Sequence, residues 1–131
     1  MAADGGATVF IVDDDDMVRD SLRALLEAHR FRVRDFDSAA RYLDARDGTA
    51  QGCLLVDMHM PNMTGLELLQ ALRAAGDATP VILFTGRNDP TLEARAKASG
   101  ASAVLDKPMT HTVLLAAIRQ ALTWFEAPFR K

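Results

Sequence analysis

Three runs of four apolar residues, Val9-Phe10-Ile11-Val12, Cys53-Leu54-Leu55-Val56 and Val81-Ile82-Leu83-Phe84, constrain this chain more than any other feature. Four apolar side chains in succession leave no wet face. Each run therefore predicts a strand covered on both sides, as in a parallel sheet between two layers of helices. Phe31-Arg32-Val33-Arg34 alternates instead and predicts an edge strand with one face partly solvated. Ala103-Val104-Leu105 predicts a short fifth strand.

Helical periodicity fills the intervals. Val18, Leu22, Leu25, Leu26 and His29 follow the spacing of one helical face. A shorter helix is expected from Ser38 to about Ala45, before the turn-like Asp47-Gly48. Thr64-Gly65-Leu66-Glu67 reads as a capping box opening a helix through Ala75, with Gly76 as its stop. Asp89-Pro90 supplies an N-cap and a proline at the first helical position, and Gly100 closes that helix. The last helix starts at Thr110 or Thr112, with Val113, Ala117, Ala121 and Leu122 on its inner side. Five strands alternating with five helices define an α/β fold, a doubly wound parallel sheet of the flavodoxin-like (βα)5 kind with strand order 2-1-3-4-5. The 131 residues are expected to form a single domain with a core over about 8–125.

Composition narrows the function. A net charge of −3 and the lack of any Lys/Arg block argue against direct nucleic-acid binding. A single cysteine, Cys53, allows no internal disulfide and favours a reducing compartment; it is expected to pack as a small apolar residue. The opening MAADGGATVF has no basic or long apolar segment of a signal peptide, and no stretch has the length of a membrane span. A cytoplasmic location is the expectation.

In a doubly wound sheet the ligand crevice lies beyond the carboxyl ends of the strands. There the sequence turns abruptly polar: Asp13-Asp14-Asp15-Asp16 after the first strand, Asp57 after the third, Thr85 after the fourth, and Lys107-Pro108 after the fifth. Asp15 or Asp16 suits a helix N-cap, but Asp13 and Asp14 at the mouth of a buried strand need another account. Asp13, Asp14 and Asp57 together with Lys107 leave an excess of negative charge, which demands raised pKa values or a cation. Hard carboxylate oxygens point to Mg²⁺, with Mn²⁺ as a substitute. Phosphate-cradling motifs of the G-x-x-x-x-G-K-[ST] or G-x-G-x-x-G type are absent. His59 has no second His or Cys at ligand spacing, so its side chain is expected to line the pocket entrance rather than hold zinc. Met58, Met60 and Met63 are expected to pack the loop around Asp57.

The set VDDDD, LLVDMHMPNMTG, ILFTG and LDKPM closely resembles the receiver domain of two-component response regulators, over about Thr8 to Leu122. The resemblance implies that Asp57 is the phosphoacceptor, served by a sensor histidine kinase or phosphotransfer protein. It implies that Asp14, Asp57 and the backbone carbonyl of His59 ligate Mg²⁺, with Asp13 acting through a water. Thr85 and Lys107 would contact the phosphoryl oxygens, Lys107–Pro108 would be cis, and His59 and Arg87 would modulate water access. The chain would then be a signalling switch that promotes its own phosphorylation and dephosphorylation, not a turnover enzyme. Within the family it is most similar to receivers that precede a helix-turn-helix output domain. It departs from the pattern at Val104, where most receivers carry a Tyr or Phe that moves with the switch. The face of the fourth helix, fifth strand and fifth helix is the expected partner or homodimer surface. Two rival readings stay open on sequence alone: a haloacid-dehalogenase-type phosphatase using Asp13-x-Asp15, and a phosphate-independent docking module of the same fold.

Overall fold

The computed structural model describes residues 7–46, 52–86 and 89–126. The elements alternate throughout: β1 (Thr8–Val12), α1 (Asp16–Ala28), β2 (Arg32–Phe36), α2 (Ala39–Ala45), β3 (Gly52–Asp57), α3 (Gly65–Ala74), β4 (Val81–Thr85), α4 (Pro90–Ala98), β5 (Ala103–Asp106) and α5 (His111–Glu126). All strand pairs are parallel, and the order is β2-β1-β3-β4-β5, as the apolar runs predict. The fully apolar runs form the three inner strands. The alternating segment forms the β2 edge, where Val33 is buried while Arg32 and Arg34 are exposed.

Pleating divides the core into two layers, because successive side chains of a strand point to opposite faces. From β3, Cys53 and Leu55 join Leu22, Leu26, Leu114 and Ile118 of α1 and α5. Leu54 and Val56 face the other way, among Tyr42 of α2, Leu66, Leu69 and Leu72 of α3, and Ala96 of α4. Truncating one of these fully buried leucines to alanine costs about 2–5 kcal/mol. Cys53 is buried and in the core, as expected for a small apolar residue.

The caps follow the sequence closely. Asp15 caps α1 through the Met17 and Val18 amides, Ser38 caps α2, Thr64 and Glu67 form a complete capping box on α3, and Asp89 caps α4 ahead of Pro90. Gly76 and Gly100 adopt the left-handed conformation that ends α3 and α4 (φ +79° and +101°). In α5 one open alternative is settled and one expectation is corrected. Thr110, not Thr112, starts α5: its hydroxyl accepts from the Val113 amide at 3.2 Å and its carbonyl from Leu114. That phase turns Val113 outward, 47% exposed, and the inner side carries Leu114, Leu115, Ile118, Ala121 and Leu122, with Ala117 half-buried against them as expected. His29 sits at the C-terminus of α1 beside Arg30, the place its sequence position suggests: it is the C-cap, exposed, with Nδ1 3.0 Å from the Leu25 carbonyl. The expected Asp47-Gly48 turn lies outside the described residues.

Candidate functional site

Register brings the polar strand ends to one place. Val12 stands opposite Val56, Asp57 opposite Phe84, and Thr85 opposite Asp106. Residues just beyond the aligned apolar blocks therefore emerge at the same edge of the sheet. Asp13, Asp57 and Thr85 are buried there, Lys107 is half-buried, and Asp14 is exposed.

Backbone hydrogen bonds fix each position. The Asp13 amide donates to the Phe36 carbonyl at 3.1 Å, tying the end of β1 to β2. The Met58 amide donates to the Phe84 carbonyl at 2.8 Å, and the Lys107 amide to the Thr85 carbonyl at 2.7 Å. The Lys107–Pro108 peptide is cis. Gly65, the first residue of α3, presses directly on the site. A β-carbon there would lie 2.6 Å from the Asp57 carbonyl oxygen and 3.0 Å from Met58 Cα.

Asp13, Asp14 and Asp57 each present a carboxylate oxygen, and these oxygens all lie within 4.8 Å of one another. Lys107 Nζ stands 3.6 Å from Asp57 Oδ1 and 4.9 Å from the centre of the Phe84 ring. Asp57 Oδ1 also accepts from the His59 amide at 3.2 Å. The exposed His59 ring reaches across the pocket mouth, with Nε2 3.0 Å from the Thr85 hydroxyl. Around it Met58 and Met60 are buried and Met63 packs against the same cluster, which is the loop-packing role expected of them. Arg87 lies outside the described residues.

Electrostatics mark Asp13 as the strained member. Its Oδ1 accepts from the Asp15 amide at 2.8 Å. Its Oδ2 is buried without a hydrogen-bond partner among the described residues. Burial above all pushes its pKa up from 3.8 to about 6; the charges of Asp57 and Asp14 add to the rise, while the Asp15 amide and Lys107 oppose it. A buried, unpartnered carboxylate oxygen beside two further carboxylates fits a divalent cation with oxygen ligands, and Mg²⁺ matches that donor set.

Two contributors are not evident from the sequence. Arg19 of α1 donates Nη1 to the Asp13 carbonyl, Nε to Asp35 Oδ2 and Nη2 to Asp16 Oδ1. Gly65 is the second; a glycine at the first position of a capped helix, where it lowers helix stability, is the one sequence signal of the close approach.

The fold and this crevice define a doubly wound sheet with an acidic pocket and a lysine at its strand ends. The response regulator receiver domain model matches residues 9–119, and the chain belongs to that family, whose members serve phosphorelay signalling. It is 42% identical over 114 residues to the transcriptional regulatory protein FixJ of Azorhizobium caulinodans, covering 87% of this chain and 54% of the relative. It is 41% identical over 116 residues to the transcriptional regulatory protein TdiR of Thauera aromatica, covering 88% of this chain and 51% of that protein. The chain thus spans about half the length of the curated relatives it matches. Among solved structures, the FixJ-N crystal structure superposes with a TM-score of 0.83 at 36% identity, covering 88% of this chain and 93% of that one. The response regulator StyR superposes with a TM-score of 0.87 at 41% identity, covering 96% and 63%. Among the described residues no helix is long and apolar enough to cross a membrane.

Proposed function

We propose that this receiver accepts a phosphoryl group on Asp57 from a sensor histidine kinase or phosphotransfer protein, in a reaction that requires Mg²⁺ or Mn²⁺. The observation that carries the reading is the Asp57 carboxylate, held by Lys107 at 3.6 Å and the His59 amide beside Asp13 and Asp14. Asp14, Asp57 and the His59 backbone carbonyl would hold the cation, with Asp13 reaching it through water. Bound there, the cation would supply positive charge against the phosphoryl oxygens.

The remaining work falls to the chain's own groups. An Asp57 carboxylate oxygen attacks phosphorus, the phosphorus–nitrogen bond of a phosphohistidine donor breaks, and the electron pair leaves on the imidazole. Lys107 neutralises charge on the transferred group, and the Thr85 hydroxyl donates to one of its oxygens. His59 and Arg87 restrict the approach of water to the acyl phosphate and so set its lifetime. Family membership favours this switch over a phosphatase acting through Asp13. Labelling by acetyl phosphate in Mg²⁺ tests the reading: wild type takes label, EDTA prevents it, and Asp57→Asn abolishes it. Label on the folded variant would overturn the assignment.

The readout would run through the β4–α4 loop and α4. Helix α4 fully buries only Ala96 among its described residues, with Leu92 packed in part, so it is the most weakly anchored of the longer helices and the easiest to shift. Val104 is half-buried against the same cluster and its β-branched side chain has a stiff χ1, so it packs β5 rather than swinging with the switch. The α4–β5–α5 face serves as the partner or homodimer surface, and the relatives' names support a readout that ends in transcription. Amide exchange with and without beryllofluoride checks this: protection should change within residues 86–99, and change confined to Val104 and α5 would contradict it.

A further inference from the structure

We propose that Arg19 is a positioning residue for the cation site: its guanidinium fixes the Asp13 peptide, and through it the acidic pocket, by fastening the end of β1 to β2. The inference rests on the metal-site reading above.

Arg19 lies on the first turn of α1, yet its side chain is only 14% exposed. Its three nitrogens address three different segments. Nη1 donates to the Asp13 carbonyl at 2.8 Å, Nε to Asp35 Oδ2 at 3.2 Å, and Nη2 to Asp16 Oδ1 at 2.5 Å. Asp35 belongs to β2 and is held a second time by Arg23 Nη1 at 2.6 Å, which makes it a firm anchor. The Asp13 amide meanwhile donates to the carbonyl of Phe36, the residue after Asp35. Both polar backbone groups of Asp13 are thus tied to β2, one directly and one through Arg19. With Oδ1 taken by the Asp15 amide, every hydrogen-bonding group of Asp13 except Oδ2 is committed.

Four consecutive aspartates repel one another, and a loop free to relax would spread them apart. Arg19 opposes that relaxation at the backbone, where the direction of the Asp13 side chain is set. A planar guanidinium can serve three acceptors at fixed angles, which a lysine ammonium at the end of a flexible stem cannot. Groups that orient metal ligands without touching the metal commonly alter affinity by about 10–100-fold when lost.

The sign of one mutation separates positioning from simple charge. If Arg19 acted only by its charge, Arg19→Ala would remove a cation from beside an acidic pocket and tighten Mg²⁺ binding, while Arg19→Lys would leave it unchanged. Positioning predicts the opposite: both variants bind Mg²⁺ about tenfold more weakly by titration calorimetry. Asp35→Asn, which touches no group of the pocket, should weaken binding too and speed exchange of the Asp13 and Asp15 amides in EDTA. Circular dichroism melts place each titration well below unfolding, and if Arg19→Ala does not fold, Arg19→Lys and Asp35→Asn decide. Unchanged or tighter Mg²⁺ binding by the folded variants overturns the role of Arg19. A wild-type chain that binds no Mg²⁺ at Asp13, Asp14 and Asp57 overturns the metal-site reading itself.

Discussion

Replacing Asp13 by asparagine should stabilise the metal-free protein. Asp13 is completely buried, its Oδ2 has no partner among the described residues, and its pKa stands at about 6 against 3.8 for a free side chain. That gap corresponds to about 3 kcal/mol of folding stability withheld when the carboxylate is charged. Because the folded pKa is the raised one, the contribution of Asp13 to stability is fully present below pH 3.8 and is lost as pH rises through about 6. Asparagine keeps an oxygen for the Asp15 amide, places an N–H₂ group where Oδ2 lies buried, and removes a negative charge from beside Asp14 and Asp57. Urea denaturation in EDTA should show Asp13→Asn more stable than wild type by about 3 kcal/mol near pH 7.5 and by about 1 kcal/mol near pH 4.5. Adding Mg²⁺ should stabilise the wild type more than the variant. An Asp13→Asn chain that is less stable at neutral pH, or a difference that does not vary with pH, would refute the assignment of strain to this carboxylate.

Asp14→Ala should weaken Mg²⁺ binding strongly in calorimetry. Asp15→Ala should leave binding nearly unchanged and instead cost about 1 kcal/mol of stability, because Asp15 caps α1. Gly65→Ala should destabilise the fold by about 1–3 kcal/mol and slow labelling of Asp57 as well, since the added methyl displaces the Asp57–Met58 backbone; normal labelling with normal stability would show that the contact relaxes freely. His59→Ala should shorten the lifetime of the acyl phosphate, followed by ³¹P NMR after the donor is removed. Thermal stability should change little, because the ring lies exposed over Thr85. An Arg87 substitution should act in the same assay, and a lifetime insensitive to both would mean that water enters by another path.

The pocket was legible because a buried parallel strand announces itself twice, by an unbroken apolar run and by the polar residue where the run stops. Val12-Asp13, Val56-Asp57 and Phe84-Thr85 each mark a strand end, and parallel register then gathers those ends without further information. The capping box at Thr64 and the stops at Gly76 and Gly100 were equally plain, since local hydrogen bonding and backbone sterics decide them. Helix phase at α5 was not, because Val113, Leu114 and Leu115 are all apolar and only the Thr110 cap selects which of them faces inward. Arg19 was hidden for a different reason. An arginine among aspartates on an amphipathic helix looks like a solvated pair, and its decisive partner, Asp35, lies on a separate strand. The close approach of Gly65 to the Asp57 carbonyl likewise arises only when α3 docks on the sheet.

Mapping the acceptor tests the central claim most directly. The chain would be treated with acetyl phosphate in Mg²⁺, trapped by borohydride reduction of the acyl phosphate, and digested for mass spectrometry. The reduced residue should be Asp57 alone, with none in EDTA and none in Asp57→Asn. Modification at Asp13, or at any carboxylate of a folded Asp57→Asn chain, would contradict the account.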